Sequence, residues 1–262
     1  MLVTGGTMGI GLATALAFAR QGAQCILTYK WGTAPEAAVI APFVSEGLAE
    51  PLLIEADVAD DEQTTALLET IKSRYPAIDV LVSNVAFALV VDSLESYSKR
   101  ALFKGIEYSA WPFVEYPRRI NEIFGSYPRY IIGLSSSGPD AYCYNYDFVA
   151  AGKALMETLC RYMNYRLFDA GVRVNVVRSR FVQTESLRAT FGDAFVPFAD
   201  QFNYRDKFIQ AREVGDFIAC LCSGLMDGVS GQVLMVDRGT EFTDNLMGFF
   251  HDREHLSLPA IP

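Results

Sequence analysis

A hydroxyl, a phenol and an ammonium group lie within one short stretch, residues 135–153, which reads SSSGPDAYCYNYDFVAAGK. Ser135, Ser136 and Ser137 open it, Tyr142, Tyr144 and Tyr146 follow, and Lys153 closes it. Gathered around a carbonyl oxygen, such groups polarise it. The phenol gives a hydrogen bond or a proton to the oxyanion as it forms, and a lysine nearby favours ionisation of the phenol. The apolar run over residues 130–134 reads as a buried strand. Its C-terminal end presents the serines at the edge of a parallel sheet, where such folds bind ligands. Lys153 falls in an apolar helix further on. The alternative is that the tyrosines only pack, which is the fair reading of Tyr144.

The order Ser, Tyr, Lys resembles the short-chain dehydrogenase/reductase family. That family usually has its tyrosine four residues before the lysine, a position held here by Val149. Tyr146 instead stands seven residues before Lys153, a Tyr-(six residues)-Lys spacing that resembles the enoyl-acyl-carrier-protein reductase branch. Asn145-Tyr146 and Arg161-Tyr162-Met163 add to the likeness. Seven helical residues rise about 10 Å, so Tyr146 is expected at or before the first turn, its ring reaching back over a cofactor. The resemblance implies catalytic roles for Tyr146 and Lys153, with Lys153 also binding the cofactor through its ribose. It also gives Ser136, which stands where the family's serine stands, a role in assisting catalysis or positioning the loop.

The elements ahead of this stretch must carry the cofactor. Thr4 to Gly11 matches the family's Thr-Gly-x-x-x-Gly-x-Gly loop and opens an alanine-rich helix. Glycines let a backbone approach a pyrophosphate, and the helix N-terminus adds N–H groups and a positive dipole end. Gly5, Thr7, Gly9, Ile10 and Gly11 are therefore cofactor-binding candidates. The strand over residues 24–29 ends in Lys30-Trp31, without the acid that NAD enzymes often use for the ribose 2′-hydroxyl. Lys30 is read as a partner for a 2′-phosphate, or else as a solvated surface lysine, and Trp31 as an adenine cover. This favours NADPH over NADH. Asp57-Val58 resembles the family's adenine-contacting pair, with a helix cap as the bland alternative for Asp57. Asn84 keeps the second Asn of the family's Asn-Asn-Ala-Gly and is a cofactor-binding candidate, although this residue more often props strands than touches substrate. The family's helix Asn has no counterpart, because no Asn occurs between Asn84 and Asn121.

On the substrate side, Ser179-Arg180 replaces the family's Pro-Gly ahead of Thr184, the residue expected at the nicotinamide end. Residues 180–212 read as a lid over the substrate, with Phe191 and Phe195 among its aromatics and Tyr142 and Arg180 as further substrate candidates. The alternative is that these aromatics simply pack the lid.

The remaining composition bounds the reading. Half of the 262 residues are apolar, which suits one α/β domain over residues 1–262 with a sizeable core. A net charge of −9 argues against a nucleic-acid partner. Cys25, Cys143, Cys160, Cys220 and Cys222 show no pairing or metal pattern and read as free thiols of a reducing cytoplasm. Both histidines, His251 and His255, lie near the C-terminal end, so neither a His triad nor a metal site is expected. No stretch reads as a signal peptide or a membrane span. A helical region over residues 94–124 is expected to break near Pro112 and Pro117. Its basic residues read as a solvated face, or as a landing site for an acidic carrier protein.

Together these imply a single Rossmann-like domain with a doubly wound parallel sheet and helices on both faces. Its expected activity is NADPH-dependent reduction of the C=C bond of an enoyl thioester, carried on an acyl carrier protein or coenzyme A. A ketoreductase of a polyketide-like or fatty-acid-like pathway is the alternative, and a non-catalytic cofactor-binding sensor or scaffold is the third reading. The family's habit implies a homo-oligomer, a tetramer or dimer.

Overall fold

The computed structural model describes residues 1–31, 34–87, 91–185, 187–188, 192–200, 208–242 and 244–251. Its strands are β1 (Leu2–Thr4), β2 (Ile26–Tyr29), β3 (Leu52–Glu55), β4 (Val80–Ser83), β5 (Tyr130–Ser136), β6 (Arg173–Ser179), β7 (Val182–Gln183), β8 (Ile209–Gln210) and β9 (Val233–Val236). The helices are α1 (Gly9–Ala19), α2 (Glu36–Ser45), α3 (Asp61–Lys72), α4 (Lys99–Ser109), α5 (Trp111–Phe124), α6 (Asp147–Arg166), α7 (Phe195–Asp200), α8 (Ala211–Leu221) and α9 (Asn245–His251).

Seven strands form one parallel sheet in the order β3-β2-β1-β4-β5-β6-β9. The strands are apolar at successive positions because both faces are covered, and neighbouring residues point to opposite faces. Val3, Leu27, Val82 and Ile132 pack under α1, α2 and α8, through Phe18, Phe43 and Ile218. Their neighbours Leu2, Ile26, Leu81 and Ile131 feed the other core, with Leu68 of α3, Tyr116 of α5 and Met156 of α6. This is the doubly wound α/β architecture expected from the sequence. β7 and β8 pair separately as a two-stranded clasp, Val182 beside Ile209 and Gln183 beside Gln210.

Two local features differ from expectation. The break in residues 94–124 falls at Ala110, between α4 and α5, and Pro117 lies inside α5. Pro112 sits in the first turn of α5, where a missing N–H costs nothing. The cap of α3 is Asp60, not Asp57: its carboxylate accepts from the Glu62 and Gln63 N–H groups, both at 3.0 Å. Asp57 is thereby left to the cleft described next.

Candidate active site

The C-terminal ends of β1 to β5 converge on a cleft of about 480 Å³. It lies where the strand order reverses, with β1 between β2 and β4, the place where open α/β sheets bind ligands. The glycine-rich loop forms its floor. Gly5 (φ +62°) and Gly9 (φ +55°) take left-handed conformations that favour glycine. Gly11 does not line the cleft. A methyl group there would fall 2.5 Å from the Gly5 carbonyl oxygen and 2.8 Å from the Asn84 amide nitrogen, so the loop folds back onto α1 only because Gly11 is bare. Asn84 ties that contact, donating from Nδ2 to the carbonyls of Gly5 (2.8 Å) and Thr4 (3.2 Å), which is the propping role expected of it. No side chain caps α1 at Met8, and its first turn holds no acid. Its N-terminal N–H groups therefore suit a phosphate, and this cradle fits a dinucleotide. Thr7, Ile10, Lys30, Asp57, Val58, Asn84, Lys153 and Thr184 all border the same cleft.

At the end of β2, Lys30 is held by Glu55, Nζ to Oε1 3.2 Å, across the neighbouring strand. Trp31 borders the cleft, with its ring 5.8 Å from that of Tyr108. Tyr108 reaches in from α4 and donates to Asp57 Oδ2 at 3.1 Å, while Asp57 Oδ1 accepts from the Ala59 N–H at 3.0 Å. Burial first, then the Asp57 charge, pushes the Tyr108 phenol up to about 12, so it stays a donor.

Tyr146 immediately precedes α6, as the spacing implied. Its ring packs closely on Gly138, where a methyl group would meet Cδ1 and Cε1 at 2.9 Å. It borders both the large cleft and a smaller cavity of about 170 Å³. Ser136 borders both as well. Burial pushes the Tyr146 phenol above its ordinary value, and a hydrogen bond with Ser136 pulls the other way. The expected easing of ionisation by Lys153 is thus not what the structure shows. Lys153 is buried, with Nζ donating to the Leu134 carbonyl at 2.6 Å, and burial draws its ammonium down to about 8 against the pull of Glu157. Tyr146 is set up as a neutral donor. Tyr142 and Tyr144 are exposed, pack edge to face against each other, and line neither cavity.

The smaller cavity runs from Ser136, Ser137 and Cys143 to Arg180, Phe181 and Leu187. Thr184 borders it and accepts from the Leu187 N–H at 3.2 Å. Arg180 donates from Nη1 to the Thr240 carbonyl at 3.2 Å and lies 4.9 Å from the centre of the Phe181 ring. Phe195 does not reach the cavity. It stacks on Phe208 at 6.1 Å and leans on Phe181 in a small satellite core. Phe191 lies outside the described residues, as does part of the expected lid.

Sequence reasoning passed over the charges beneath the site. Glu157, four residues after Lys153 on α6, accepts from Ser135 Oγ at 2.6 Å and from Arg178 of β6, Nε at 2.6 Å and Nη2 at 2.5 Å. Arg178 also pairs with Asp140 on the loop after β5. An acid and an arginine inside otherwise apolar runs were the available signal, since buried charges are nearly always paired. Among the described residues, no group of three or more His, Cys, Asp or Glu is placed to hold a metal ion, and no helix is long and apolar enough to cross a membrane. The five cysteines are free thiols.

Comparison with known proteins agrees with this geometry. The chain is 24% identical to the NADH enoyl-acyl-carrier-protein reductase FabI of Aquifex aeolicus, over 97% of this chain and 94% of that protein. It is 28% identical to the 1-cyclohexenylcarbonyl-CoA reductase of Streptomyces collinus, over 100% of this chain and 93% of that one. The crystal structure of the Bacillus cereus enoyl-acyl carrier protein reductase, solved with NADP+ and an indole naphthyridinone, superposes with a TM-score of 0.80 at 25% identity. It covers 93% of this chain and 96% of that structure. The family model described as enoyl-(acyl carrier protein) reductase matches residues 5–241. The chain belongs to the enoyl-(acyl carrier protein) reductase family of the short-chain dehydrogenases/reductases.

Proposed function

We propose that the protein reduces the C=C bond of an enoyl thioester with NADPH, the acyl group being carried on an acyl carrier protein or coenzyme A. The observation that carries this is the half-buried Tyr146 phenol, raised above its ordinary value, on the wall shared by the dinucleotide cleft and the smaller cavity. When bound, the nicotinamide cofactor supplies a hydride. The glycine loop and the α1 N-terminus would hold its phosphates, Asp57 and Val58 its adenine, and Lys153 its ribose. Tyr146 would donate a hydrogen bond to the thioester oxygen, where negative charge gathers as the β-carbon is reduced. The α-carbon then takes a proton, so the product carries two more hydrogens than the substrate. Ser136 would orient the phenol.

NADPH is preferred in this reading because Lys30 stands at the end of β2 without an acid beside it in sequence, and Glu55 holds it at the cleft border. The ketoreductase reading rests on Ser136 beside Tyr146. Against it, the family's helix Asn has no counterpart, since no Asn occurs between Asn84 and Asn121. The free thiols suit a reducing compartment such as the cytoplasm. Exposed Phe103, Tyr162 and Tyr165, on the mutually packed α4 and α6, suit burial against a second copy of the chain.

Losing one well-placed oxyanion donor costs roughly 10²–10³ in turnover. Tyr146→Phe is expected to lose that factor on a crotonyl thioester with cofactor affinity kept, while Tyr144→Phe stays near wild type. Efficient turnover of an acetoacetyl thioester with none on the crotonyl thioester would hand the site to ketone reduction.

A further inference from the structure

The loop that leads to the phenol is fastened from outside at one point. It leaves β5 after Ser136 and enters α6 at Tyr146. Its backbone closes on itself. The Asp140 and Ala141 N–H groups donate to the Ser137 carbonyl at 3.0 and 2.9 Å, and the Tyr146 N–H donates to the Cys143 carbonyl at 3.3 Å. Among the described residues, the pair between Asp140 and Arg178 is the one hydrogen bond or ion pair that joins residues 138–145 to the chain outside 136–146.

Two features make the path of this loop exacting. Asn145, directly before the phenol, takes a left-handed φ of +60°, a region that residues other than glycine keep only where the surrounding structure fixes it. Gly138 lies so close to the Tyr146 ring that a methyl group there would also meet the Ala150 Cβ at 3.0 Å. The place of the ring is therefore set by where the loop lies.

The anchor at the other end is rigid. Arg178 is buried on β6 beside Ser135 of β5, and its Nε and Nη2 are engaged by Glu157 of α6, which leaves Nη1 for Asp140. Ser135 Oγ braces the same Glu157 carboxylate. An ordinary surface ion pair must order two long side chains and is worth little. Here the guanidinium is already ordered, and only the short Asp140 side chain is fixed on pairing. The bond to Arg178 holds the Asp140 carboxyl below the usual carboxylate range against its desolvation, with Arg161 as a second cation nearby.

We propose that Asp140 is a positioning residue for the Tyr146 phenol: through Arg178 it holds the loop so that Gly138 seats the ring at the wall shared by the two cavities. Asp140 itself lines neither cavity. The inference rests on the enoyl-thioester reading for its effect on rate, while the placing of the ring is a property of the protein alone.

The ring is read first, without substrate. In the full chain carrying fluorotyrosine, the fluorine resonance of Tyr146 is the one lost in Tyr146→Phe. Asp140→Ala should move it toward the resonances of the exposed Tyr142 and Tyr144, and Asp140→Glu should return it part of the way. Turnover is read second. Asp140→Ala should lower kcat on a crotonyl thioester about 10-fold, less than the roughly 10²-fold that an ångström of misplacement can cost, with thioester KM and NADPH affinity near wild type. In the Tyr146→Phe background the same change should lower kcat no further, because a residue that acts through the phenol has nothing left to act on. An unmoved Tyr146 resonance overturns the positioning role, as does a wild-type kcat in Asp140→Ala. So does an equal loss of kcat in the two backgrounds, which marks a merely structural role. If the Ala variant does not fold, Asp140→Asn, which keeps the side-chain shape without its charge, decides by the same readings. If the wild type reduces no crotonyl thioester, the reaction reading falls while the resonance still decides the positioning.

Discussion

Replacing Lys153 by Met should change how the stability of the cofactor-free protein responds to alkali. The ammonium is buried with a carbonyl at 2.6 Å, and its folded-state value is about 8 against an ordinary 10.5. Below pH 8 both the folded and the unfolded chain carry the proton, and the fold bears the full cost of a buried charge. Between pH 8 and about 10.4 the unfolded chain still binds the proton while the folded chain has released it. Stability contributed by this residue therefore rises with pH through that window and levels off above it. The interval between about 8 and 10.5 corresponds to about 3 kcal/mol at roughly 1.36 kcal/mol per pH unit. Urea unfolding of wild type and Lys153→Met from pH 7 to 10.5 measures it. Tyrosines and other groups that titrate in both proteins cancel in the difference. The wild type should gain about 3 kcal/mol on the variant across the window. A flat difference would show that Lys153 titrates at its ordinary value, and a falling one that its charge is stabilised by Glu157 more than burial opposes it. Either result refutes the electrostatic reasoning.

Two further outcomes are expected. Arg178→Met leaves the buried Glu157 carboxylate without its guanidinium and should cost roughly 3–5 kcal/mol by denaturant unfolding; Glu157→Gln should cost less, because Arg178 keeps Asp140, and the double change Glu157→Leu/Arg178→Met should cost much less than Arg178→Met alone. Lys30→Ala should weaken NADPH binding about 10-fold by fluorescence titration and leave NADH nearly unchanged, in line with one charge-assisted contact; equal loss for both cofactors removes Lys30 from the 2′-phosphate.

What could be read from the chain was what local spacing controls. The loop from Thr4 to Gly11 and the interval from Tyr146 to Lys153 are short, so their geometry follows from the backbone they sit on. The apolar strands followed for the same reason, since each is a local run, while their order across the sheet did not. The unreadable part joins residues far apart. Lys30 meets Glu55 25 positions away, Tyr108 meets Asp57 51 away, and Arg178 meets Glu157 21 away. None of these pairs has a spacing that singles it out. Tyr146 shows the same limit within a correct reading. Its position was legible, but its raised phenol was not, because burial is set by the loop over Ser136 to Gly138 rather than by Lys153.

The β7–β8 clasp has an evolutionary consequence. It brings Gln183 and Gln210 side by side, so the two ends of the segment between them are joined. Lengthening a loop whose ends are already joined costs little, about 0.6 kcal/mol per doubling. Beyond Thr184, which borders the cofactor cleft, the intervening segment can therefore be lengthened, shortened or replaced without disturbing the seven-stranded sheet, the glycine loop or the Tyr146–Lys153 pair. In a family built this way, substrate range can diversify by exchange of one cassette, while the machinery that handles the cofactor is inherited intact.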